Sequence, residues 1–145
     1  MKFSEILNLF KQGKSSAQSH IKNLIEIAAA DGNFDQTESQ LLQKIAKKNG
    51  ISASKLRAIE KNSGEVLFEV PEDDFEKFNQ MYDLVHMMIV DNHVHHEEMK
   101  LCNLYALKFG YPKNNVDELI KTLLANIDNG NDPKDTMSRV KWMLN

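Results

Sequence analysis

The chain repeats itself at a fixed distance of 60 residues. Residues 21–56 align with residues 81–116 without a gap, and seven of the 36 aligned positions are identical. The identical pairs are Leu24/Leu84, Asp31/Asp91, Glu38/Glu98, Leu41/Leu101, Ala46/Ala106, Lys48/Lys108 and Gly50/Gly110. Two copies of one helical unit can bury their apolar faces against each other, so the repeat predicts an internally duplicated domain.

Apolar residues recur within both copies at the spacing of amphipathic helices. One such stripe consists of Phe75, Phe78, Tyr82, Val85 and Ile89, in steps of three and four. This period is typical of a helix with one buried face. Only residues 66–70, VLFEV, alternate like a strand, and because a lone strand has no partner we expect an extended connector there.

These patterns together predict a single all-α domain over residues 1–145, a helical bundle of about eight helices. The predicted ranges are 3–12, 16–30, 36–49, 53–62, 72–90, 96–109, 115–127 and 133–143. Asn115 and Glu118 have the spacing of a capping box and predict the start of the seventh helix. Trp142, in the last predicted helix, fits either the core or an exposed contact for a partner.

Composition narrows the class of protein further. The chain has a net charge of −3 and no basic stripe, so we expect no nucleic-acid partner. Cys102 is the single cysteine, which excludes an internal disulfide, and its position on an apolar face favours a core residue over a nucleophile.

The N-terminal segment has polar residues within its apolar part, which argues against a signal peptide, and no apolar run approaches the length of a membrane span. We therefore expect a cytoplasmic protein without direct membrane insertion.

The turn between the two helices of the first copy, AAADGNFDQTE, carries most of the chemistry. Gly32 suits the left-handed end of a helix, and Asp35 with Glu38 has the spacing of a capping box. Asp31 has no such explanation, because an acid at a helix C-terminus opposes the helix dipole. Asp91 repeats it in MIVDNHVHHEE, which points to a function for both aspartates.

A calcium-binding EF-hand does not fit this turn. Asp31, Asn33, Asp35 and Thr37 have the spacing of its first ligands, but Gln36 stands where that loop needs glycine. The twelfth position would be Leu42, where a bidentate glutamate is needed.

The turn instead resembles that of the tellurite-resistance TerB family, whose fold also occurs in membrane-anchored DnaJ-type co-chaperones. The shared pattern is an apolar helix ending in Ala-Asp-Gly, an apolar residue, a capping residue and Glu, then a helix and a glycine. It stands here as AADGNFDQTESQLLQKIAKKNG, with a degraded second copy, IVDNHVHHEEMKLCNLYALKFG; the resemblance covers about residues 16–126. It departs from the pattern at Asn92, where glycine is expected, and at His95, a poor N-cap.

The resemblance implies an all-helical, duplicated fold, a link to stress responses, and acidic residues that bind a divalent metal. Carried over by position, the metal ligands are Asp31, Glu38, Asp91 and Glu98. We expect the halves to pack about a pseudo-twofold axis, so that the two aspartates approach each other and a cation offsets their repulsion. Oxygen ligands favour Ca²⁺, Mg²⁺ or Mn²⁺.

Two other interpretations of these residues remain open. The acids can be solvated and make only turn hydrogen bonds. Alternatively, Asp35, His93 and His95 join the ligands, and imidazole would shift the preference toward Zn²⁺, Ni²⁺ or Cu²⁺.

We expect a non-enzymatic binding module with a protein partner, because no activated nucleophile or base is identifiable. Its alternative is a metal-independent adaptor that docks a partner through its acidic face or its C-terminal helix.

Overall fold

The computed structural model describes residues 3–30, 32 and 34–145, and side chains from residue 15 onward within these ranges. The described chain forms seven α-helices and no strand, which confirms the all-α prediction. The helices are α1 (Phe3–Ala29), α2 (Gln36–Lys48), α3 (Ala53–Lys61), α4 (Asp74–Ile89), α5 (His96–Lys108), α6 (Val116–Asp128) and α7 (Pro133–Val140). Short 3₁₀ segments follow or precede three of them, at Ser63–Glu65, Lys113–Asn115 and Lys141–Met143.

The prediction of two helices before residue 31 was wrong. Helix α1 runs without a break through Gly13 and Lys14, where we expected a connection between residues 12 and 16. A single glycine costs a helix only about 1 kcal/mol relative to alanine, and the segment has no proline to interrupt it. The other predicted helices agree with the structure to within two residues at most ends; the last ends as α-helix at Val140 and continues as 3₁₀.

The duplication is visible in the backbone. Helices α2 and α5 begin and end 60 residues apart, as do the ends of α1 and α4. Gly50 and Gly110 both have positive φ, at 74° and 88°, and each follows the second helix of its copy. The same apolar positions are buried in both copies, including Leu24 with Leu84 and Ala46 with Ala106.

Helices α1 and α4 pack side by side and run in the same direction. The Gln80 amide donates to the hydroxyl of Ser16 at 3.0 Å, and His20 contacts Asp83 at 2.9 Å. The residue numbers of the contacts increase in the same direction along both helices, so the helices are parallel. Since the two helices end on the same side of the bundle, the turns that follow them are neighbours. The parallel packing of α1 and α4 therefore determines where the candidate site lies.

Capping explains most helix starts. Asp35 and Glu38 form the predicted capping box, and Ser52 caps α3 through the backbone N–H of Lys55. The predicted box at Asn115 was wrong, because Asn115 makes no capping hydrogen bond. Its amide instead donates to the carbonyl of Met143 at 3.2 Å, a tertiary contact that local spacing does not reveal.

Residues 66–70 form the expected extended connector between α3 and α4. The Lys22 ammonium donates to the carbonyl of Val66, and the Ser19 hydroxyl accepts from the backbone N–H of Glu69. Phe68 stacks on Tyr105 with ring centroids 6.1 Å apart. The connector is thereby held between α1 and α5.

Among the described residues, no helix has the length and apolar character needed to cross a membrane.

Candidate metal site between the two turns

The first turn holds its acids by local hydrogen bonds. Asp35 accepts from the backbone N–H of Glu38 at 2.8 Å and from the hydroxyl of Thr37 at 2.7 Å. The Glu38 carboxylate in turn accepts from the backbone N–H of Asp35 at 3.2 Å. The bonds from Glu38 and Thr37 lower the pKa of Asp35 below its ordinary value, so this carboxylate stays charged.

The second turn fixes Asp91 in a comparable way. One carboxylate oxygen accepts from the backbone N–H of His93 at 3.0 Å, and the other lies 3.4 Å from the Nε2 atom of His95. Asn92 takes the left-handed backbone that the pattern assigns to glycine, with φ of 66°. His95 makes no capping hydrogen bond at the start of α5, as its poor capping ability predicted, and its ring lies beside Asp91 instead.

The fold brings acids of both turns together. Each of Asp35, Glu38 and Asp91 offers one carboxylate oxygen, and these three oxygens lie within 4.8 Å of one another. Glu38 is buried, with 2% of its surface exposed, while Asp35 and Asp91 are half-buried. Negative charges this close repel, and hydrogen-bond donors, protons or a cation can offset the repulsion.

The other predicted ligands are placed as follows. Glu98 is buried at the position in α5 that Glu38 has in α2, but it is not one of these three acids. His93 lies on the surface beside His95, with ring centroids 6.2 Å apart. Asp31 lies outside the described residues. The structure thus joins Asp35, a secondary candidate from the sequence, to Glu38 and Asp91.

The donor set suits a hard cation. It offers three carboxylates, one of them buried, without a thiolate among them, and oxygen ligands are those that Ca²⁺, Mg²⁺ and Mn²⁺ prefer. Cys102 lies in the core, where burial raises the pKa of its thiol far above the ordinary value. This burial confirms that Cys102 is a core residue.

Sequence reasoning missed a polar seam between α1 and α4. His20 and Gln80 occupy equivalent places in the two copies, as do Asn23 and Asp83. His20, Asn23 and Gln80 are buried, and Asp83 is half-buried beside His20. The signal was present in the repeat, since a polar residue retained at an inward position of both copies indicates an interior contact. The seam aligns α1 with α4 and so positions both turns.

Comparison with known proteins bears on the first part of the chain. Residues 1–61, which hold α1 to α3 and the first turn, match the model of the family described as tellurite resistance protein TerB. The first part of the chain, residues 1–61, is therefore similar to TerB. The match covers less than half of the chain and ends before the second copy, so it is shorter than the resemblance over residues 16–126 that we expected. Searches of curated proteins and of solved structures found no match.

Proposed function

We propose that this TerB-like chain is a non-enzymatic binding module that holds one divalent cation between its two turns. The observation that supports this most is the convergence of Asp35 and Glu38 from the first turn with Asp91 from the second. Acids from two separate turns of the chain are brought into one group, one member of which is buried. A cation there would link the two copies and stabilise the closed arrangement of the turns.

The proposed cation is Ca²⁺, Mg²⁺ or Mn²⁺. All three first ligands are oxygens, and Asp35 is held in its charged form by hydrogen bonds. His95 then acts on Asp91 from outside the ligand set, orienting the carboxylate rather than binding the metal. Zn²⁺ becomes the preferred ion only if His95 turns inward.

The proposal extends to the remaining acids of the repeat. Because the duplication relates Asp31 to Asp91 and Glu98 to Glu38, we include Asp31 and Glu98 as further ligands. The matched family is described by tellurite resistance, and we place cation binding within such a stress response.

Thermal unfolding of the whole chain in Ca²⁺, Mg²⁺, Mn²⁺ and Zn²⁺ tests the proposal. At a cation concentration of about one hundred times Kd, binding adds about 2.7 kcal/mol of stability. A chain of this size should then melt about 5–10 °C higher. Asp91→Asn should abolish the shift, whereas Asp128→Asn, an equal charge change at an exposed position of α6, should keep it.

Both possible failures are informative. If none of the four cations raises the melting temperature, the cation site is refuted and the metal-independent adaptor is the better description. If Asp128→Asn removes the shift as completely as Asp91→Asn, the effect reflects net charge rather than coordination at the turns.

A further inference from the structure

The first half of the molecule carries a groove at a surface whose equivalent on the second half is packed against α7. The groove has a volume of about 420 Å³ and lies between α1, α3 and the connector. Its lining includes Gln18 from α1, Lys55, Ala58 and Ile59 from α3, and Leu67 and Glu69 from the connector. Leu67 is 85% exposed, a large apolar side chain at the rim of the groove. Its volume is in the range of ligand-binding clefts.

In the second half, helix α7 covers the corresponding surface. The repeat relates α1 to α4 and α3 to α6, and α7 packs against both α4 and α6. Thr136, Val140 and Met143 are buried in this contact face, at the i, i+4, i+7 spacing of an amphipathic helix. On the first half, the extended connector occupies only part of this space and leaves the groove beside it.

Individual contacts define how α7 is held. Before α7, the Tyr82 hydroxyl donates to the carbonyl of Asn131 at 2.6 Å. At its far end, Asn115 donates to the carbonyl of Met143, and Lys141 lies near Asp74 around a small cavity. Helix α7 is therefore antiparallel to α4, with its C-terminal end at Asn115.

Lys55 is the equivalent of Asn115 in the first copy, and it lines the open groove. An ammonium group there suits the unsatisfied carbonyls at the C-terminal end of a helix. Tyr82 corresponds to Lys22, which already binds the connector at Val66. The groove therefore has a polar side chain, Lys55, at the place where Asn115 binds the C-terminal end of α7. At the other end, Lys22 stands where Tyr82 binds the chain before α7, and the connector already occupies Lys22.

We propose that this groove binds an amphipathic helix of a partner protein in the manner of α7, antiparallel to α1 and with its C-terminal end at Lys55. Such a helix would place apolar residues at i, i+4 and i+7 against Ala58, Ile59 and Leu67. Glu65 and Glu69 line the same groove, so basic residues on its flanks are favoured. Helix α7 and the 3₁₀ turn after it have this character, with Lys134, Arg139 and Lys141 against a single acid, Asp135.

The test uses a peptide of residues 131–145, held helical by a lactam bridge on its exposed face, as the probe for the full chain. NMR titration should perturb the backbone signals of Lys55, Ala58 and Leu67. Ala58→Arg fills the groove from an exposed position and should weaken binding at least tenfold, about 1.4 kcal/mol. Ala53→Arg, an equal change on the same helix outside the groove lining, should leave binding within about twofold.

Two results would overturn the proposal. One is no perturbation at about 1 mM peptide, a concentration at which even weak docking is visible. The other is perturbation centred on Tyr82 and Thr136, because the peptide would then be displacing α7 of the chain itself. A peptide with Val140→Asp is the matched control and should not bind. The titration contains no added cation, so its outcome is independent of the metal site.

Discussion

Gly32 and Asn92 occupy the same place in the two copies, and both have left-handed backbones, with φ of 83° and 66°. Each residue lies just after the end of a long helix, where the chain enters an acidic turn. The left-handed conformation at this position is therefore retained although glycine is present in only one copy. Asparagine is the side chain that tolerates this conformation best, which explains how the second turn keeps its shape.

Substitutions at Asn92 should follow this backbone requirement. Asn92→Gly should leave the free energy of unfolding unchanged or raise it, because glycine has no Cβ to strain. Asn92→Val should lower it by about 1–2 kcal/mol, since a β-branched residue is disfavoured at positive φ. Urea unfolding measures both, and a valine variant as stable as the glycine variant would contradict the expectation.

Asp35 has two roles that one substitution can separate. Asparagine caps a helix about as well as aspartate, so Asp35→Asn should change stability without cation by less than about 0.5 kcal/mol. It removes one negative charge from the acidic group and should therefore reduce the cation-dependent rise in melting temperature. Asp73→Asn is the matched control, because Asp73 caps α4 through the backbone N–H of Glu76 and is not one of the three acids. Equal loss of the cation effect in both variants would argue against Asp35 as a ligand.

The contact between His20 and Asp83 should be important for stability. His20 is buried, and the Asp83 side chain is 14% exposed, so removing one partner leaves the other poorly solvated. We expect Asp83→Ala to lower the free energy of unfolding by about 2–3 kcal/mol. The double variant His20→Leu/Asp83→Leu should lose less than the sum of its single variants, because it leaves no unpaired polar group. Strictly additive losses would show that the contact contributes little.

Stability should fall on mild acidification because of His86. Burial lowers the pKa of His86, nearby Lys44 lowers it further, and Asp83 opposes both effects. Tyr82 packs against the ring edge to face, with centroids 6.2 Å apart. The folded state therefore binds a proton less readily than the unfolded chain, whose histidine pKa is about 6.5. This contribution to stability is complete above about pH 6.5 and is lost as the pH falls toward the lowered pKa.

Urea midpoints measured at intervals between about pH 5 and 7.5 test this sign. His86→Gln should flatten the fall in stability below about pH 6.5, since glutamine does not titrate. A variant with the same pH dependence as the original chain would assign the effect to other groups.

Most of the architecture could be read from local patterns, and the exceptions have physical causes. Helix ends at Gly50 and Gly110 and the cap at Asp35 depend on neighbouring residues, so spacing predicts them. The continuity of α1 through Gly13 was missed because one unfavourable residue does not stop a long helix. The role of Asn115 was predicted wrongly because its amide donates to the carbonyl of Met143. This partner is 28 residues away, so local spacing does not reveal it.

The candidate site was predicted in part. Glu38 and Asp91 were expected as ligands from their place in the repeat, and the structure places them together. Asp35 was expected mainly as a cap, which it is, and its carboxylate also faces the second turn. Glu98 was expected in the same group on grounds of symmetry; it is buried, it is not one of these three acids, and its place among the ligands stays a prediction. Repetition in a sequence identifies equivalent residues but gives no distance between them.

The sequence by itself determined the duplication, the helical character of both copies and the acidic turns that close each helix pair, because these depend on periodicity and capping among residues close in the chain. Only the tertiary structure decided that α1 and α4 lie parallel, that Asp91 reaches the acids of the first turn, and that α7 covers one half while the other keeps an open groove. These features depend on which surfaces meet across 60 residues of chain, and that choice is made by the packing of the whole bundle.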